Sequence, residues 1–238
     1  SDDPATYEVI EGAGAATADE LKAAIAEGEP VITLVGDIAL SEVLSFPKDV
    51  TLTAQGDVTL TGAPVYFNGE NTVVRGIHFA NGTSSSGQAS AVYVTSQKCR
   101  TLVFDNCTFS NAQWDAIQLT DKDVESIEIT NCTFRNTVEG GYRYIHLELR
   151  NSNGDYYANS QAKVTVMGCT FENVSSAYCK DSAVTICGFM HDNLTIADNV
   201  VKGAGADNIT NMMFWICDGT NFGKLFSTEE LKTMFRYE

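Results

Sequence analysis

Basic residues are scarce in this sequence, with 15 Lys and Arg against 31 Asp and Glu, a formal charge of −16. That balance excludes a protein that holds nucleic acid by neutralising phosphates. Proline occurs only four times, and no apolar run reaches the length of a membrane-spanning helix. The seven cysteines show no C-x-x-C pair and the three histidines no H-x-H or H-x-x-x-H spacing. A zinc ribbon and a thioredoxin-type site are therefore excluded. No clustered acids suggest a Ca²⁺ site, so neither metal nor cofactor is expected. Apolar residues at 44% are too many for a disordered acidic tail. The chain opens on Ser1 rather than Met, as a mature or trimmed chain would.

What is abundant is Thr (24), Gly (19) and Asn (16), the composition of an all-β chain with many polar turns. Six Asn-x-Ser/Thr sequons occur, at Asn81, Asn106, Asn131, Asn173, Asn193 and Asn208. In so Asn-rich a chain they read first as turn residues. The acidic charge and Thr-rich surface suit a secreted or cell-surface protein.

The strongest signal is self-similarity. Residues 72–81, 102–111, 127–136 and 164–173 share the pattern apolar-x-apolar-x-x-Cys-x-Phe-x-Asn, with Gly76-Ile77-His78 replacing the Cys tripeptide in the first copy. A weaker fifth copy spans residues 194–203. The phenylalanines fall at 79, 109, 134 and 171, giving steps of 30, 25 and 37 residues. A second strand of period two recurs in each coil, at 91–95, 116–120, 144–148, 183–187 and 213–217. One such unit cannot bury its apolar face, whereas stacked units can. The pattern also runs back through 31–35, 50–53 and 58–61. Capping boxes at Thr17–Glu20 and Ser227–Glu230 predict lid helices over about 17–28 and 227–236. One domain over 1–238, without a linker, is expected.

These repeated N-C-T-F-x-N coils behind a short amphipathic helix resemble the pectin-lyase-like superfamily over roughly residues 17 to 220. The resemblance implies an all-β fold, a single-stranded right-handed parallel β-helix with short helical caps. It does not imply one activity, because the superfamily includes polysaccharide lyases, polygalacturonases, tailspikes and non-catalytic adhesins. The N-x-D, D-D, G-H-G and R-I-K strings of polygalacturonases are absent, and so is the acid cluster with which pectate lyases hold Ca²⁺.

Stacking predicts inward columns of Cys107, Cys132 and Cys169 beside the phenylalanines, and an amide ladder of Asn111, Asn136 and Asn173. Cys187 and Cys217 fall at neighbouring outward positions, as free thiols or a disulfide. The paired Thr51/Thr53 and Thr59/Thr61 make too small a flat patch for an ice-binding face.

The outward row of the second strand reads Tyr93, Gln118, His146, Thr185, Trp215, flanked by Tyr144 and Met213 on one side and by Thr95, Thr120 and Glu148 on the other. Aromatic faces stack on sugar rings and fixed polar groups bond hydroxyls, so Tyr93, Gln118, Tyr144, His146 and Trp215 are the candidate ligand-binding residues. The alternative is a strip covered by loops. Loops 81–87 and 150–161 are placed to wall a groove. Any catalysis would fall to His146, Glu148, Arg143 and Asp115, with the two carboxylates inferred on adjacent coils and opposite edges. The leading expectation is an extracellular β-helix that binds carbohydrate or a surface ligand. The alternatives are a divergent polysaccharide lyase or glycoside hydrolase, and a structural module of a larger surface protein or adhesin.

Overall fold

The computed structural model describes residues 11–94, 99–120, 124–149, 161–203, 205–218 and 223–238. Its strands form three sheets of eight, eight and seven members, and all strand pairs named within them are parallel. The first sheet runs from Ala13–Ala15 to Leu194–Ala197, the second from Ile38–Leu40 to Phe235–Tyr237, and the third from Leu44–Phe46 to Phe214–Cys217. The chain visits the three sheets in turn and then climbs one coil, so each strand pairs with its equivalent one coil on. This is a parallel β-helix.

The repeat explains the coil geometry. Between the first and second sheets each coil after the first turns on one left-handed residue: Gly56 (φ 76°), Gly76 (69°), Asn106 (52°), Asn131 (53°), Gly168 (65°) and Asp198 (56°). Gly and Asn are the residues that tolerate that region at least cost. At Gly168 a Cβ would stand 2.7 Å from the Asn131 side-chain oxygen, so a larger residue there would have to displace that side chain. The sequons at Asn106 and Asn131 thus coincide with turn residues, and Asn131 donates its amide to Asp105 at 3.0 Å. Asn81 is buried, with its amide bonded to Ala63 and Ala91 carbonyls. Asn131→Ala should destabilise by about 1–2 kcal/mol through the left-handed strain, and Asn131→Gly should restore most of it. Thermal unfolding of the two variants checks this, and equal midpoints would refute it.

After each turn the inward position takes Cys107, Cys132 or Cys169, whose thiols point at backbone carbonyls of the same and the preceding coil. In the next coil Asn199 takes that place, satisfied by Cys169 N and Val166 O. Beside them Phe79, Phe109, Phe134 and Phe171 stack with centroids 5.0, 5.1 and 5.1 Å apart and planes within 7°. That spacing is close to the interstrand distance, as a ladder of equivalent residues requires. The Asn111–Asn136–Asn173 group differs from a simple amide ladder. Asn136 Oδ1 accepts from Asn111 N, its amide donates to Tyr178 O, and Asn173 donates to Asn136 O. The side chains bond backbone because the turn leaves backbone groups of neighbouring coils without strand partners.

Helix α1 (Ala18–Glu27) covers the first coil, starting at Thr17 and stopping at Gly28 (φ 75°). Helix α2 (Thr228–Met234) starts in a complete capping box of Ser227 and Glu230. It ends two residues earlier than expected, because the chain leaves it as a strand, Phe235–Tyr237, that completes the second sheet. Phe235 is there buried against Phe214 and Phe171 at 4.1 and 5.6 Å. A strand hides both an apolar ring and a sheet edge, which a further helical turn would not. Neither helix is long and apolar enough to cross a membrane.

Candidate functional site

The third sheet carries the site. Its outward rows are Ser90–Asp115–Arg143–Ser182–Met212 and Tyr93–Gln118–His146–Thr185–Trp215, one residue per coil. The two rows are tied together. Tyr93 OH accepts from Ser90 N at 3.1 Å, Ser90 Oγ donates to Gln118 Oε1 at 2.9 Å, and the Ser182 and Thr185 hydroxyls bond at 2.6 Å.

At the centre the rows hold an alternating chain of charge. Asp181 Oδ2 accepts from Arg143 Nε at 2.8 Å. Arg143 Nη1 lies 3.6 Å from Asp115 Oδ1, and Asp115 Oδ2 accepts from His146 Nδ1 at 2.6 Å. His146 Nε2 then faces Glu148 Oε1 at 3.1 Å, in contact but off the line of an aligned hydrogen bond. Asp115 is wholly buried, and its Oδ1 accepts no hydrogen bond. His146 is 7% exposed. Burial works to lower its pKa, but the bonds to Asp115 and Glu148 outweigh burial, and the net shift is upward. The imidazolium is thereby favoured between two carboxylates. Arg143 also lies over the Tyr142 ring at 4.7 Å, and Tyr142 stacks on Trp114 at 3.9 Å.

A cavity of about 260 Å³ opens beside this chain, lined by Arg143, Glu148, Asp181, Ser182, Thr185, Met212 and Trp215. The expected candidates therefore separate. Glu148, Arg143 and Trp215 reach the cavity, while Asp115 and His146 stand behind it and join Arg143 to Glu148. Asp115 and Glu148 are not isolated on opposite edges, since His146 bridges them. Tyr93 and Gln118 are half-buried, further along the sheet and outside the cavity lining, with Tyr93 against Tyr66 at 4.8 Å.

Tyr144 is a correction. It was expected on the outward flank, but it is fully buried, 5.8 Å from Phe134 and 6.3 Å from Phe171. Strict alternation fails at the strand entrance, where Tyr144 N and Ile145 N both donate to Ala183 O, as in a β-bulge. The phenol donates to Glu172 O and accepts from Asn136 N, and burial raises its pKa. It is a core residue.

Cys187 and Cys217 sit in register as buried thiols not joined in a disulfide. Their mutual bond and burial push the Cys187 thiol up. Thr95 and nearly all of the 150–161 loop lie outside the described residues. The 81–87 loop does not line the cavity. Asp181 was missed because it precedes its strand. In register it falls opposite Tyr142, and its carboxylate reaches back to the Arg143 guanidinium of the preceding coil, a contact that alignment of the coils does not predict. Among the described residues no group of three His, Cys, Asp or Glu side chains could hold a metal ion.

No curated protein matches the chain. Residues 49–147 match the family model of a right handed beta helix region, a stretch that includes Asp115, Arg143 and His146 and ends before Glu148, Asp181 and Trp215. With three parallel sheets closing one coil after another, the chain has the right-handed parallel β-helix fold of pectin-lyase-like proteins.

Proposed function

We propose that the protein binds carbohydrate in the Trp215 cavity of the third sheet, in a secreted or cell-surface setting. One observation carries this reading: an aromatic ring, a guanidinium, two carboxylates and two hydroxyl-bearing side chains line a single cavity. An indole face takes the C–H side of a pyranose, and the fixed polar groups take its hydroxyls. The volume is just below the range of about 300–1,000 Å³ typical of drug-sized ligand pockets, which suits one sugar unit of a chain. The acidic composition is in keeping with an extracellular protein.

Trp215→Ala should weaken glycan binding about tenfold or more, a loss of about 1.4 kcal/mol, measured by calorimetry on a ligand identified by glycan array. An array without hits, or an unchanged affinity in the variant, would defeat the proposal. A second reading, glycoside hydrolysis, is favoured by the two carboxylates at one cavity, since such chemistry uses a carboxylate pair. New reducing ends on incubation with polysaccharides would select it over binding alone.

A further inference from the structure

Of the seven cysteines, five belong to the continuous apolar core and two, Cys187 and Cys217, do not. Those two stand on one outward row of the third sheet, which runs Thr120, Glu148, Cys187, Cys217 with one residue per coil. The row leads from a carboxylate at the cavity wall to a stacked pair of thiols. The two thiols hydrogen-bond to each other. Residues in register on neighbouring parallel strands stand about 4.8 Å apart at Cα, inside the range of about 4.4–6.8 Å that a disulfide spans. Their Cβ atoms, stacked in parallel, must close to about 3.8 Å, a movement of about 1 Å.

The place of the pair permits that movement. Phe214–Cys217 is the last strand of the third sheet and pairs along one side with Val184–Cys187. On its far side, among the described residues, a bridge from Cys217 to Lys224 and a hydrogen bond from Leu225 N to Ile216 O hold it. Cys107, Cys132 and Cys169 are also stacked, but they lie in the core, in coils with strands above and below, and their thiols donate to backbone carbonyls. A close-packed interior resists the same shift there.

We infer that Cys187 and Cys217 are a disulfide-forming pair, a modification site at which an oxidising medium joins the last two strands of the third sheet by a covalent latch. With glutathione disulfide as the oxidant, one thiolate of the pair attacks a sulfur of the reagent and expels one glutathione. The second thiolate attacks the protein sulfur of that mixed disulfide and expels the other. An Sγ–Sγ bond forms, the protein gives up two electrons and two protons, and one glutathione disulfide becomes two glutathione thiols. Both thiols are buried and Cys187 holds its proton tightly, so exchange passes through opening of the last strand and is slow.

The intact protein should be incubated with glutathione disulfide at about pH 8.5, near the ordinary thiol pKa, then alkylated in denaturant and weighed. Two of the seven cysteines should escape alkylation, and a peptide joining Cys187 to Cys217 should appear. The thermal midpoint should rise by about 5 °C or more, because the bond closes a long loop of the unfolded chain. Dithiothreitol should return seven alkylated cysteines and the original midpoint. Cys217→Ala should show neither the cross-link nor the rise, and Cys187→Ala gives the same test should the first variant fold poorly. All seven thiols staying free, even in urea just below the unfolding transition, overturns the inference. So does a cross-link that falls on Cys107–Cys132 or Cys132–Cys169, or glutathione retained on a cysteine without a cross-link. A Cys187–Cys217 bond that leaves the midpoint unmoved overturns the latch.

Discussion

Asp115→Ala should destabilise the protein by about 3–5 kcal/mol, the cost of removing one partner from a buried ion pair. The mechanism is specific. Asp115 is wholly buried and, among the described residues, is the only acid in contact with both Arg143 and His146. Without it, the acid left to His146 among the described residues is the poorly aligned Glu148, the acid left to Arg143 is Asp181, which is nearly half exposed, and the two cationic groups face each other at 3.3 Å. Asp115→Asn retains the shape and one acceptor for the imidazole, so it should cost less.

The same network sets a pH dependence. The folded pKa of His146 is raised, so its contribution is fully present below the ordinary histidine value of about 6.5. It is lost as pH rises through the higher folded pKa, because the folded state binds the proton more tightly than the unfolded chain does. Wild-type stability should therefore decline on raising pH above that value. In Asp115→Ala, burial acts with less opposition, and the decline should move to lower pH. Urea unfolding across a pH series measures both effects. A variant within about 1 kcal/mol of wild type, with an unmoved pH profile, would show that the network is not the buried electrostatic unit described here.

How much of this could be read from sequence follows from which features repeat. A parallel β-helix places equivalent residues in equivalent surroundings, so the recurrence of Cys107, Cys132 and Cys169 beside Phe109, Phe134 and Phe171 announced both inward columns. The same recurrence set the strand registers: Gln118, His146, Thr185 and Trp215 do lie in one row. The site, in contrast, is built from what does not repeat. Arg143, His146 and Glu148 occur in one coil only, and their partners come from the coils on either side, Asp115 below and Asp181 above. Side-chain direction decides such contacts, and period-two alternation predicts direction only where the ladder is regular. At Tyr144 the ladder doubles on Ala183 O, and a residue that alternation sends outward becomes core. Asp181 lies in a turn, where no alternation applies. The −16 charge had no structural account in the repeat. Part of it now has a place, in a cavity whose walls end on Glu148 and Asp181.

Phe134→Ala should be the most damaging substitution in the core, at about 3–5 kcal/mol. Phe134 stands in the middle of the ladder, stacked on Phe109 and Phe171 at 5.1 Å each and 5.8 Å from Tyr144, with no exposed surface. The coils above and below are fixed by backbone hydrogen bonds at the interstrand spacing, so neither neighbouring ring can move along the axis to fill the space. The cavity therefore stays open, and its cost adds to the lost transfer energy of the ring. Phe134→Leu fills part of that volume and should cost less. Because Tyr144 shares the cavity and immediately follows Arg143, the defect should also reach the candidate site: any ligand affinity dependent on Trp215 should fall in Phe134→Ala even at temperatures where the variant remains folded. Denaturant unfolding with calorimetry on the folded variant tests this. A loss below about 1.5 kcal/mol would mean that the solenoid can close over a missing rung, contrary to a stack held rigidly by its strands.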